Sequence, residues 1–207
     1  CFRFRLLVFS CILAGCFVGV AGAASLGIDW KERASEESPF LGITITPDAS
    51  VVLAGGDQMY IRVWNGERIW GSKPGRVTAI TSDGKRFVTG MGNSVVILDG
   101  QGIENWSRTM DGVVTAVAIE PNGSFVISAD DKGNYNSWGK NGEFTSRIQN
   151  ATAKRIAISP AGDLVVVLTE KGLRFYDRKL ELVLYDNRTE SLDEFVAISA
   201  DGSTVIV

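Results

Sequence analysis

The sequence contains no histidine, and its three cysteines, Cys1, Cys11 and Cys16, all fall within the first sixteen residues. From residue 17 onward there is neither a thiol nor an imidazole. That removes Ser-His-Asp and Cys-His nucleophilic catalysis, zinc sites built from Cys and His, and structural disulfides. Carboxylates, Lys, Arg, Tyr and hydroxyls are the groups left for chemistry. Proline is scarce, at 5 residues against 23 glycines. This excludes collagen-like and Pro-rich linker compositions and points to many turns. Positive charge is not in excess either: 21 Lys and Arg stand against 24 Asp and Glu, for a net charge of −3 and a pI of about 5.1. A nucleic-acid partner held through its phosphates is therefore not expected. Hydrophobic residues make up 45% and charged residues 22%, enough for a packed core and too apolar for a disordered chain.

The first segment has the parts of an export signal. Arg3 and Arg5 precede an apolar run from Leu6 to Val20, and Ala21-Gly22-Ala23-Ala24 supplies a small-residue exit. Cleavage after Ala23 would remove both arginines and take the net charge from −3 to −5. Two alternatives stay open. Leu13-Ala14-Gly15-Cys16 matches a bacterial lipobox, which would leave a lipidated Cys16. The apolar stretch to Gly27 is also long enough to act as an uncut anchor. All three place the remainder outside the cytoplasm, secreted or at the cell surface, with the membrane touched only through an anchor or lipidated Cys16. The chain begins at Cys1 rather than Met, so a few preceding residues are expected. Residues 24–39 form a charged linker closed by Pro39.

Residues 40–207 repeat. Five turn cores are alike: Pro47-Asp48-Ala49, Ser82-Asp83-Gly84, Pro121-Asn122-Gly123, Pro160-Ala161-Gly162 and Ala200-Asp201-Gly202. Their last positions lie 35, 39, 39 and 40 residues apart. An isoleucine stands four residues before each last position (Ile45, Ile80, Ile119, Ile158, Ile198), preceded in four units by Ala79, Ala118, Ala157 and Ala197. Within a unit, short β-branched runs alternate with turns. Strands are predicted over 77–81, 86–89, 94–98 and 103–108 in the second unit, and over 116–119, 125–129, 134–138 and 143–148 in the third. Four antiparallel strands per 35 to 40 residues make a propeller blade. A lone four-stranded sheet cannot bury both faces, whereas blades leaning on one another can. Alanines suit the crowded innermost strand. The bulkier Trp64, Trp70, Trp106, Trp138, Phe175 and Tyr176 suit blade-to-blade packing, each ring worth about 2–3 kcal/mol when buried.

The turn cores resemble the Ser-Pro-Asp-Gly hairpin of WD-repeat-like propellers. The later turns, Asn65-Gly66-Glu67-Arg68-Ile69-Trp70 and Asp99 through Trp106, resemble the quinoprotein (PQQ-like) repeat, with weaker copies at Asn141-Gly142-Glu143-Phe144 and Asp177 through Glu181. The combination is similar to secreted prokaryotic (archaeal and bacterial) propeller-repeat proteins. The resemblance implies an all-β propeller of four-stranded antiparallel blades, about four and a third of them in this chain. The blades are 40–75, 76–112, 113–153 and 154–192, with a partial one over 193–207. A fifth unit that stops early is expected to belong to a longer protein of about six to eight blades. Missing histidine departs from the Gly-His pair of WD repeats. A cysteine-free mature part departs from the vicinal disulfide of quinoprotein dehydrogenases. The resemblance thus implies the fold and not an enzymatic activity.

In such a fold the turns between second and third strands share one rim. The rim candidates are Asp57 and Gln58, Asn93, then Asp130, Asp131 and Lys132, then Glu170 and Lys171. Asp130 and Asp131 are also a minimal calcium-ligand pair, without the spaced carboxylates of a dedicated loop. Asn122, Asn150 and Asn187 lie in glycosylation sequons in turns; a fourth, at Asn105, precedes a Trp expected to be buried. No catalytic pair, cofactor or metal site is predicted. The expected function is an extracytoplasmic, non-enzymatic propeller that binds protein or glycan through its rim. The alternative is a quinoprotein-like enzyme completed by further C-terminal blades, and a third possibility is a surface sensor or scaffold fused to another domain.

Overall fold

The computed structural model describes residues 40–56, 60–63, 68–71, 75–187, 195–199 and 201–206. The expected leader over 1–23 with its Cys16, the linker over 24–39, and rim residues Asp57 and Gln58 lie outside the described residues, as does Trp64. Among the described residues every regular element is a strand.

Four antiparallel sheets follow one another, each with its four strands in chain order. The first contains β1 (Phe40–Ile45), β2 (Val51–Gly56), β3 (Tyr60–Val63) and β4 (Arg68–Gly71). The second contains β5 (Val77–Ile80), β6 (Arg86–Met91), β7 (Ser94–Asp99) and β8 (Glu104–Thr109). The third contains β9 (Val114–Ile119), β10 (Phe125–Asp130), β11 (Asn134–Gly139) and β12 (Phe144–Gln149), and the fourth β13 (Ala153–Ile158), β14 (Leu164–Thr169), β15 (Gly172–Asp177) and β16 (Leu182–Asp186). A further pair, β17 (Ala197–Ile198) and β18 (Val205–Ile206), opens with the same Ala-Ile step. The strands expected in the second and third units agree with β5–β12 to within about two residues.

The repeat extends to the register. In all four sheets the pairing of third and fourth strands slips at one place, leaving an extra residue at 69, 105, 145 and 183. Such a bulge bends the outer strand and raises its twist. It also fixes equivalence: Trp70, Trp106, Ser146 and Leu184 each sit opposite the corresponding third-strand residue (Ile61, Ile97, Ser137 and Phe175).

Burial shows how the sheets are arranged. Val165 and Val166 are neighbours in β14 and point to opposite faces, yet both are fully buried. Val165 packs with Phe125, Ile127 and Tyr135 of the third sheet, and Val166 packs with Val196, Ile198 and Val205 beside β17 and β18. The fourth sheet is therefore covered on both sides. Each such aliphatic side chain contributes about 1.5–3 kcal/mol. The first strands lie against one another in succession: β1 beside β5, β5 beside β9, β9 beside β13, and β13 beside β17. Ala116 and Ala118 of β9 are buried where the third and fourth sheets meet. The outer strands β8, β12 and β16 are largely exposed. Each sheet is open; none closes on itself.

The first turn of each unit needs one left-handed residue. Gly84, Gly123, Gly162 and Gly202 hold it with φ between 67° and 74°, and Ala49 holds the same position at φ 59°. A Cβ costs about 1 kcal/mol in that region. Ala49→Gly is expected to stabilise the protein by about 0.5–1 kcal/mol, visible as a higher urea midpoint; a lower midpoint would show that the turn is not under this strain.

Candidate binding rim

The turns β6–β7, β10–β11 and β14–β15 share one edge of the molecule with the connections that carry the chain from sheet to sheet. Backbone hydrogen bonds tie the first two of these turns to the connections, forming a band. Met110 N donates to Asn93 O (2.7 Å) and Val114 N to Gly92 O (2.8 Å), seating the 110–113 connection on the second sheet. Asp131 N donates to Val113 O (2.9 Å), and Val113 N to Asp131 Oδ1 (2.9 Å), seating it on the third. Asn150 N donates to Gly133 O (2.8 Å), which begins the next connection in the same way.

Asp130 is fully buried inside this band. Its Oδ1 accepts from Lys132 N (3.0 Å), Asn134 N (2.8 Å) and Asn134 Nδ2 (3.1 Å). Its Oδ2 accepts from Gly112 N (3.0 Å) and Asn134 Nδ2 (2.8 Å). The carboxylate thus closes its own turn and clamps the incoming connection. Asp131 is exposed beside it, with its Oδ1 taken by Val113 N. Among the described residues no three acidic, His or Cys side chains gather to hold a metal.

The exposed rim groups alternate in sign. Lys132 Nζ donates to Asp111 O (2.6 Å), while Arg147 pairs with the Asp111 carboxylate and donates to Asn134 Oδ1 (2.7 Å). Asn93, Glu170 and Lys171 are exposed on the neighbouring turns. The half-exposed ring of Tyr185 stands next to them, its hydroxyl donating to Lys171 O (2.6 Å) and the Arg174 guanidinium 4.3 Å from its centre. Asp111, Asn134 and Arg147 belong to this cluster although sequence spacing did not mark them; Arg147 lies 36 residues from its partner. Of the sequons, Asn122 is exposed in its turn, and Asn150 is half-buried with Nδ2 donating to the Tyr176 hydroxyl (3.0 Å). Asn187 and Asn105 are exposed; residues 188 and 189 of the Asn187 sequon lie outside the described residues.

The opposite edge carries the repeated turns. The residue after each marker isoleucine is a hydroxyl in four units (Thr46, Thr81, Ser159, Ser199), whose oxygen accepts from the N–H five residues on. The third unit has Glu120 instead. It is buried, accepts from Ser124, and pairs bidentately with Arg178 at 3.0 and 3.1 Å, joining the third sheet to the fourth. Burial pulls the Glu120 pKa up, but hydrogen bonds from Arg178 and Ser124 outweigh it and hold the carboxyl below its ordinary 4.5. A lowered folded-state pKa stabilises the fold above the unfolded value and loses that effect as pH falls through the folded one. Arg178→Ala is expected to cost about 2 kcal/mol near neutrality. The gap from wild type should shrink below about pH 4; a gap constant from pH 7 to pH 3 in urea titrations would contradict the pairing.

Comparison with protein-family models finds none that matches the chain, and a search of curated proteins finds no match either.

Proposed function

We propose that the chain is an extracytoplasmic, non-enzymatic β-propeller module, with WD-like and PQQ-like repeat signatures, that binds a protein or glycan through the rim of Asn93, Asp131, Lys132, Glu170 and Lys171. The observation that carries this reading is the band itself. Turns and connections of the second and third sheets are tied together by backbone hydrogen bonds, and exposed charges of both signs stand on them and on the neighbouring β14–β15 turn. Rigid placement limits the entropy lost on binding, and mixed charge suits a polar partner. First strands that lie in succession against one another favour sheets radiating from a shared axis. In this reading Asp130 supports the rim from within.

The test combines photo-crosslinking on intact cells with a glycan array. Alanine at Asp131, Lys132, Glu170 and Lys171 together is expected to abolish capture and array binding while moving stability by about 1–2 kcal/mol, the bonds from Val113 N to Asp131 and from Lys132 to Asp111 O being the ones lost. Unchanged capture by the quadruple variant would overturn the rim assignment.

A further inference from the structure

Where the third sheet meets the fourth, two hydrogen-bond donors have no acceptor among the described residues. Arg174 and Tyr176 lie two positions apart on β15 and so share one face of the strand. Tyr176 packs there with Tyr135 of the third sheet. Arg174 Nε is buried without a partner. The ion pairs formed among the described residues join Arg147 to Asp111 and Arg178 to Glu120, and neither uses Arg174. Tyr176 is 1% exposed. Its hydroxyl accepts from Asn150 Nδ2 (3.0 Å), and its own proton finds no acceptor among the described residues. Burial raises the Tyr176 pKa above its ordinary 10, so that proton stays in place near neutrality; the Arg174 charge beside it pulls the other way without prevailing.

The guanidinium is half-buried and lies beside the Tyr185 ring, which is 40% exposed. Tyr185 is held by its hydroxyl on Lys171 O, at the rim turn. On the other side runs the 150–152 connection, where the Tyr135 hydroxyl donates to Ala151 O and Thr152 Oγ1 to Asp131 O (3.4 Å). The cation belongs to this junction and not to the repeat. Val96, Asn136 and Arg174 are equivalent, each standing one residue before the third-strand residue that faces the end of the bulge. Val96 is apolar, and Asn136 is sealed in by Met110, whose sulfur accepts from the Asn136 amide (3.2 Å) and from Ser128 Oγ (3.3 Å).

We propose that Arg174 and the Tyr176 hydroxyl bind the carboxylate of a uronate, a sugar acid carried by an acidic glycan. The proposal rests on the rim reading and narrows its partner. A carboxylate is planar and accepts only, so it takes the guanidinium fork and the hydroxyl proton together. It supplies an acceptor to donors that the fold leaves without one. The Tyr185 ring beside the guanidinium offers an apolar surface to the sugar. A uronate carries its carboxylate directly on a ring, so both contacts come in one rigid piece and little entropy is lost. An Asp or Glu side chain would bring the carboxylate on a flexible stem and leave the Tyr185 ring bare.

The test titrates the protein calorimetrically with an oligogalacturonate and with its methyl ester. The acid is expected to bind about thirtyfold tighter than the ester. R174Q should abolish that preference, and Y176F should weaken binding of the acid by about fivefold while leaving the ester unchanged. Equal binding of acid and ester, or none by either, overturns the site, and this comparison needs no variant to fold. A preference that survives R174Q, or acid binding unchanged in Y176F, overturns the assignment to these residues. Polyglutamate bound through Arg174 in place of the oligogalacturonate overturns the glycan. Photo-crosslinking on intact cells separates this site from the rim. Capture lost in the quadruple rim variant but unchanged in R174Q and by excess oligogalacturonate sinks the uronate site alone. Capture indifferent to the quadruple variant as well sinks the rim reading with it.

Discussion

Asp130→Ala is expected to destabilise the protein by about 3–5 kcal/mol, one of the two largest single-residue effects in the chain. The carboxylate is fully buried and takes hydrogen bonds from the backbone N–H groups of Gly112, Lys132 and Asn134 and from the Asn134 amide. Alanine removes the acceptor and leaves these donors facing a cavity. A buried donor without a partner costs about 1–3 kcal/mol. Asp130→Asn keeps one acceptor oxygen but turns an amide N–H₂ toward the remaining donors, so about 2 kcal/mol is expected. Asp131→Ala is the control. Its carboxylate is exposed and takes a single backbone bond, from Val113 N, so a change of about 1 kcal/mol is expected. Urea unfolding measures all three. If Asp130→Ala and Asp131→Ala cost the same, Asp130 is not the internal clamp of the rim.

Trp106→Ala is expected to cost about 3–5 kcal/mol. The side chain is 7% exposed and packs with its ring centre 6.4 Å from that of Trp138, across the junction from the second sheet to the third. Its Nε1 donates to Lys140 O. Truncation opens a cavity between two sheets and frees a carbonyl. Trp106→Phe, which keeps a ring and loses the hydrogen bond, should cost markedly less. At the equivalent position one junction on, Ser146→Ala removes only a single exposed bond to Lys179 O, so about 0.5–1 kcal/mol is expected. Two equivalent positions with different costs follow from what each turn meets, not from distance to the core. Similar losses for Trp106→Ala and Ser146→Ala would contradict stacking through these turns.

The repeat was legible because its signals are local. A marker isoleucine, a turn four residues later and alternating β-branched runs specify four-stranded units without reference to other parts of the chain. Trp106, Trp138 and Tyr176 are buried as expected, whereas Phe175 is only partly buried. What the spacing could not convey is the long-range pairing. Asp130 and Asp131 look alike in the sequence. They differ because β10 ends inside the molecule, and the donor that holds Asp130 across the junction comes from Gly112, 18 residues earlier. Glu120 looks like a solvated turn residue until Arg178, 58 residues away, is brought beside it. Arg147 and Asp111 meet in the same way across one sheet's worth of sequence.

An experimental crystal structure of the full-length protein tests the central claim most directly. Sheets that fan from one axis, with β1, β5, β9 and β13 innermost, are the expected result. Sheets stacked in a straight or helical row, with no common axis, would contradict it and remove the shared rim along with it.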